Sequence, residues 1–167
     1  SLARQLRWAP PIMGAELIAT LQGYSKTELD SISLRSHANA SAAWENGHYD
    51  LSVMPVTGAS GEVVLERDEL IRSNLTIDKL TAMPPAFAEQ GASGYDSMML
   101  SEHPHLTRIE HIHSFANCPG MADGAALAVI GDRDSGARAS LTPKAKIIAM
   151  AETSGDPVLH LTAGRDA

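Results

Sequence analysis

His113-Ser114-Phe115-Ala116-Asn117-Cys118-Pro119-Gly120-Met121-Ala122-Asp123-Gly124-Ala125-Ala126 is a dense run of small residues that leads straight into the apolar stretch 127–130. Small side chains let a backbone approach a ligand or a neighbouring strand closely. The apolar stretch behind it reads as a buried strand, residues 133–139 as a short helix interrupted at Gly136, and residues 145–151 as a second buried strand. This strand, helix, strand order predicts an α/β layer.

Upstream, residues 14–22 carry Leu17, Ile18 and Leu21 at helical spacing, and Gly23 is placed to end a helix in a left-handed conformation. Ser25 and Glu28 form an S-x-x-E capping box, in which each side chain satisfies a backbone amide at a helix start, worth about 1 kcal/mol. Along the helix that follows, Leu29, Ile32, Ser36, Ala40 and Ala43 recur at steps of three and four, which predicts a buried face rich in small residues, with Gly47 as the stop. Residues 51–56 and 62–66, separated by Thr57-Gly58-Ala59-Ser60-Gly61, read as a hairpin with a longer loop. Pro55 marks its strand as an edge.

Thr76 can cap a short helix over residues 77–82. Pro84-Pro85 must end it, because the first proline disfavours helical geometry at Met83. Ala86-Phe87 is then extended, and residues 88–112 show no clear period. They read as a long loop with Met98-Met99-Leu100 available for burial.

The 167 residues are 44% hydrophobic, enough for one ordinary globular domain or a large piece of a bigger one. A formal net charge of −7 disfavours nucleic-acid binding, which requires a basic face. Any anionic ligand must therefore be met by local positive charge. No apolar segment approaches the roughly 20 residues of a membrane span, and no secretory pattern opens the chain, so the expected setting is cytoplasmic. A single cysteine cannot form an internal disulfide. The chain opens on Ser1 and ends without an evident cap, and it reads as an internal fragment.

The small-residue run resembles the Thr-Ala-Gly-Asn-x-x-Gly-x-x-Asp-Gly-Ala-Ala segment of the thiolases, acyltransferases that make or cleave 3-ketoacyl-CoA. Further elements occur in that family's order: Ser25-Lys26-Thr27-Glu28-Leu29-Asp30, Arg35-Ser36-His37-Ala38-Asn39-Ala40, Met54-Pro55, Asp68-Glu69-Leu70-Ile71-Arg72 and Pro85-Ala86-Phe87. The resemblance extends from about Met13 to Leu161. It implies part of a thiolase-like α/β fold: a loop-domain segment with hairpin and excursion over 1–112, the end of the first α/β half over 113–140, and the start of the second over 141–167. Departures are Met54 in place of an acid, Phe115-Ala116 in place of Ala-Gly, and Pro119 in place of a small or hydroxyl residue.

By the same resemblance, Arg72, Lys79, Met83, Ala86 and Phe87 match positions that contact CoA. The arginine lies near the nucleotide end and the phenylalanine beside the pantetheine arm. A guanidinium suits a polyanion, each charge-assisted bond being worth about 1.5–3 kcal/mol. A surface ion pair with Asp68 or Glu69 would be the structural alternative for Arg72, and plain core packing the alternative for Phe87. His113, Phe115, Asn117 and Pro119 are candidate cavity-lining residues. Asn117 and Asp123 also suit turns, through bonds from side chain to backbone.

Thiolases use a nucleophilic cysteine, a histidine and a second cysteine. Their Cys-x-Ser/Gly-Gly, Gly-His-Pro and Cys-x-Gly-Gly carriers do not occur in these residues. Gly47-His48-Tyr49 lacks the proline, and Cys118 aligns with a small residue and reads as a buried structural thiol. No catalytic residue is assigned within the chain. His103, His105, His111 and His113 have a spacing that imidazole zinc ligands can show, but without nearby cysteines they read as a polar loop, and no metal site is assigned. The implied substrates are acyl-CoA and CoA with no resident cofactor. The implied activity is acyl transfer through an acyl-cysteine formed elsewhere in the parent protein, a homo-oligomer. A non-catalytic thiolase-like protein that binds acyl-CoA or lipid is the alternative.

Overall fold

The computed structural model describes residues 7–159 and 161–167; residues 1–6 of the expected first segment lie outside that range. Helix α1 (Pro11–Gln22) opens with proline in its first turn, where the missing amide costs nothing, and Gly23 closes it at φ 69°. Helix α2 (Lys26–Glu45) starts at the expected capping box. The Ser25 amide donates to Glu28 Oε2 at 2.8 Å, and the Glu28 amide donates back to Ser25 Oγ at 3.3 Å.

The buried face of α2 differs from the expected one. Asp30 and Ser41 are its buried residues, whereas Ile32 is 54% exposed and Ser36 is exposed. Asp30 decides the rotation, because its carboxylate accepts from Lys26 Nζ at 2.6 Å and from Asn117 Nδ2 at 3.0 Å. A polar network thus turns the helix away from its apolar stripe.

The hairpin forms, but shorter than expected: β1 (Val56–Thr57) pairs antiparallel with β2 (Val63–Leu65), with an irregularity in register. Both strands are exposed. Arg67 lies over the Trp44 ring at 5.5 Å, linking the hairpin to the end of α2. Helix α3 (Ile77–Thr81) is capped by Thr76, whose Oγ1 accepts from the Lys79 amide at 3.3 Å, and it buries Leu80 completely.

Residues 88–102 correct the expectation of a loop. They form α4 (Ala88–Gln90), a wide π-turn (Gly91–Tyr95) with Gly94 at φ 124°, and α5 (Asp96–Glu102). Three short turns broken at a glycine leave no long periodic stretch for the sequence to display. Burial of Met99 holds the segment to the core of Ala9, Met13, Leu17, Ile109 and Val158. Val158 reaches this core after a turn in which Asp156 Oδ1 accepts from the Val158 and Leu159 amides, at 2.7 and 3.0 Å.

The expected α/β layer is absent from the described residues. Residues 127–130 and 145–151 are not strands, and Leu127, Val129, Ile130, Ile147, Ile148 and Met150 are exposed. A strand exists only through a neighbour that pairs with its amides and carbonyls. Among the described residues the sole sheet is the β1–β2 hairpin, so these stretches find no such neighbour. Helix α6 (Arg133–Arg138) needs none: Asp132 caps it by accepting from the Ser135 amide at 2.8 Å, and Gly136 does not interrupt it. The short helix α7 (Ala163–Asp166) follows at the chain's end.

Candidate functional site

Asn117 organises the small-residue run. Its Oδ1 accepts from the Ser114 amide at 2.9 Å and from Ser114 Oγ at 3.0 Å, closing the 3-10 turn Phe115–Asn117. Its Nδ2 donates to Asp30 Oδ1 at 3.0 Å and Ser33 Oγ at 3.1 Å, clamping that turn to α2. Lys26 Nζ also donates to the Leu80 carbonyl at 2.8 Å, so the same network ties in α3. This matches the turn-forming role expected of Asn117; Asp123, by contrast, is exposed.

Behind the turn lies a second network that sequence reasoning missed. Glu16 is fully buried, and its carboxylate accepts from the Ile112 amide at 3.0 Å, the His113 amide at 3.3 Å and His113 Nδ1 at 2.8 Å. His111 stands beside it, with Nε2 3.1 Å from Asp96 Oδ2 and Nδ1 3.7 Å from Glu16 Oε1. A Cβ on Gly91 would come within 2.5 Å of His111 Cε1, so only glycine allows the π-turn to pass this pair. The available signal was a carboxylate between Met13 and Leu17, on the apolar stripe of α1.

His113 therefore commits its ring to a core carboxylate, while its carbonyl accepts from the Ala86 amide at 2.9 Å. That bond places Phe87 against the turn, where its ring meets Phe115 edge to face at 5.3 Å. Phe87 is half-buried and packs on the core on one side. Phe115 is 75% exposed, Pro119 is exposed, and Met83 is half-buried. The four central histidines do not converge: His103 and His105 meet edge to face at 5.9 Å, while His111 and His113 turn to carboxylates. Among the described residues no group of three or more His, Cys, Asp or Glu side chains is arranged to hold a metal ion.

Arg72 is exposed, and its amide donates to His37 Nδ1 of α2 at 3.2 Å. The alternative ion pair with Asp68 or Glu69 does not form among the described residues. Asp68 Oδ1 instead accepts from the Leu70 amide at 2.8 Å. Lys79 is exposed, and its Nζ donates to the Asn74 carbonyl at 2.9 Å. Leu70 lies 3.0 Å from where a Gly120 Cβ would stand, which brings the segment before Arg72 close to the small-residue run. Cys118 is half-buried, and its thiol donates to the Ser114 carbonyl at 3.6 Å. Burial first, and the charge of Glu16 second, push this thiol up from its ordinary value.

Residues 10–94 match the model of the thiolase N-terminal domain. The chain belongs to the thiolase family. Among its thiolase relatives, the 3-ketoacyl-CoA thiolase of Cronobacter sakazakii is 30% identical over 161 residues, covering 93% of this chain and 37% of that protein. The acetyl-CoA acetyltransferase of Synechocystis sp. is 29% identical over 144 residues, 85% of this chain and 31% of the relative. That of Paracoccus denitrificans is 30% identical over 145 residues, 86% of this chain and 32% of the relative. The chain thus spans about a third of the length of the curated relatives it matches. No helix among its described residues is long and apolar enough to cross a membrane.

The thiolase relationship covers Arg72, Lys79, Met83, Ala86 and Phe87, all within residues 10–94. Depressions of about 390 Å³, lined by residues such as Tyr24 and Ile32, and of about 430 Å³ beside Trp44 and Arg67, contain none of them. Arg72 and the Phe115 turn both attach to α2, through His37 and Ser33.

Proposed function

We propose that the parent protein is an acyltransferase of the thiolase family, moving acyl groups to and from CoA through an acyl-cysteine whose reactive residues lie outside these 167. In this reading the chain supplies the holding surface for CoA, with no resident cofactor, within a homo-oligomer. Arg72 meets the nucleotide phosphates, Lys79 adds a second positive charge, and Met83, Ala86 and Phe87 line the pantetheine arm. His113 and Asn117 hold the wall from behind, and Phe115 and Pro119 stand at its surface.

The observation that carries this reading is an exposed guanidinium without a carboxylate partner, fixed through its own backbone to the helix that also anchors the Phe87 and Phe115 wall. On a chain of net charge −7, an exposed cation held in place by its backbone supplies the local positive charge that a polyanion requires. Charge reversal by Arg72→Glu in the intact protein removes at least one charge-assisted bond. It should weaken CoA binding by at least about tenfold in calorimetry. An unchanged affinity would remove the assignment. Acyl transfer from acetyl-CoA distinguishes the enzyme from the non-catalytic alternative: a protein that binds CoA but transfers nothing is only a carrier of acyl-CoA or lipid.

A further inference from the structure

Both phenylalanines of the chain meet at one spot, although aromatic residues make up only 4% of it. Phe87 has a core to pack on, but Phe115 does not: three-quarters of its surface faces solvent. Exposed aromatic side chains are ordinarily unremarkable, yet this one stands on a turn held by four side-chain hydrogen bonds of Asn117 and backed by the buried Glu16–His113 pair. A rigid apolar ring presented to solvent loses little entropy on contact, which is the property of a binding anchor.

Helix α2 relates this ring to Arg72. Ser33 anchors the Phe115 turn and His37 anchors the Arg72 amide, four residues further on, or about 6 Å along the helix axis. The turn that presents the apolar ring and the backbone of an unpaired cation are therefore tied to successive turns of one helix. We propose that Phe115 forms, with Phe87, an aromatic clamp for the apolar carrier arm of a CoA thioester, and that Phe115 sets this chain's affinity for the arm over the bare nucleotide. The inference rests on the CoA-holding reading above. It concerns a residue that departs from the family pattern, where Ala-Gly stands in place of Phe115-Ala116.

Calorimetry on the intact protein with CoA, with its nucleotide half (3′-phosphoadenosine 5′-diphosphate) and with pantetheine tests the clamp. Covering roughly 55 Å² of the ring at about 25 cal/mol per Å² corresponds to about tenfold in affinity, or about 1.4 kcal/mol. Phe115→Ala should weaken CoA and pantetheine binding by that factor while the nucleotide half binds within twofold of the wild type. Phe115→Tyr, which keeps the ring, should restore the arm's affinity. Equal CoA affinity in Phe115→Ala overturns the clamp and leaves the CoA-holding reading standing. An equal loss for both halves also overturns it, because it marks a structural role. A wild type that binds neither CoA nor its halves overturns both proposals.

Discussion

Glu16→Gln tests whether the buried carboxylate holds the two ends of the described core together. Glu16 Oε2 accepts from the Ile112 amide and from His113 Nδ1, and Oε1 accepts from the His113 amide. Glutamine preserves the volume but has one acceptor oxygen. If that oxygen takes the place of Oε2, the His113 amide faces an NH₂ group and is left unsatisfied in the interior, at about 1–3 kcal/mol. The two retained bonds lose their charge assistance, adding about 1 kcal/mol. The sum, about 2–4 kcal/mol, is a large part of the 5–15 kcal/mol typical of a domain.

Urea unfolding followed by far-UV circular dichroism should show this loss as a lower midpoint at constant slope. Amide hydrogen exchange should show it locally at Ile112 and His113, with protection falling about tenfold for every 1.4 kcal/mol. Phe87 should respond as well, since the Ala86 amide depends on the His113 carbonyl for its partner. A Glu16→Gln protein with stability within about 0.5 kcal/mol of the wild type and unchanged protection at both amides would refute the reasoning.

Two more predictions concern single groups. The backbone and then the side-chain hydrogen bond to Ser25 hold the Glu28 carboxyl below its ordinary value of 4.5. The contribution of this cap to the start of α2 is therefore complete above about pH 4.5 and lost as the pH falls through the lowered value, which nuclear magnetic resonance of residues 26–30 can follow. Glu28→Gln should abolish that acid dependence, and an unchanged acid titration of the helix start would contradict the cap's role. Because burial and Glu16 push the Cys118 thiol up, iodoacetamide at pH 8 should alkylate it more slowly than N-acetylcysteine, as read by mass spectrometry. Equal or faster alkylation would show a thiol outside this environment.

Features legible in the sequence were those closed by residues near one another. The Gly23 terminus, the Ser25–Glu28 box, the Thr76 cap and the turn at Asn117 each satisfy backbone groups within a few residues, so their chemistry is written locally. Family membership was legible for the same reason, as ordered short motifs around these turns. The helical nature of residues 88–102 was hidden because its turns are too short and too broken to display a period.

The site needed distance information that no local pattern contains. Glu16 meets His113 across 97 residues, Asn117 meets Asp30 across 87, and Phe87 meets Phe115 only because the Ala86 amide finds the His113 carbonyl. Residues 127–130 and 145–151 show the converse. Their apolar composition states that they suit burial, but a strand is defined by its neighbour's hydrogen bonds, and no second strand stands beside them among the described residues. Composition and spacing thus determined which segments turn, cap and suit burial. Only the tertiary structure decided which of them meet, because a contact between distant residues depends on the path of the whole chain.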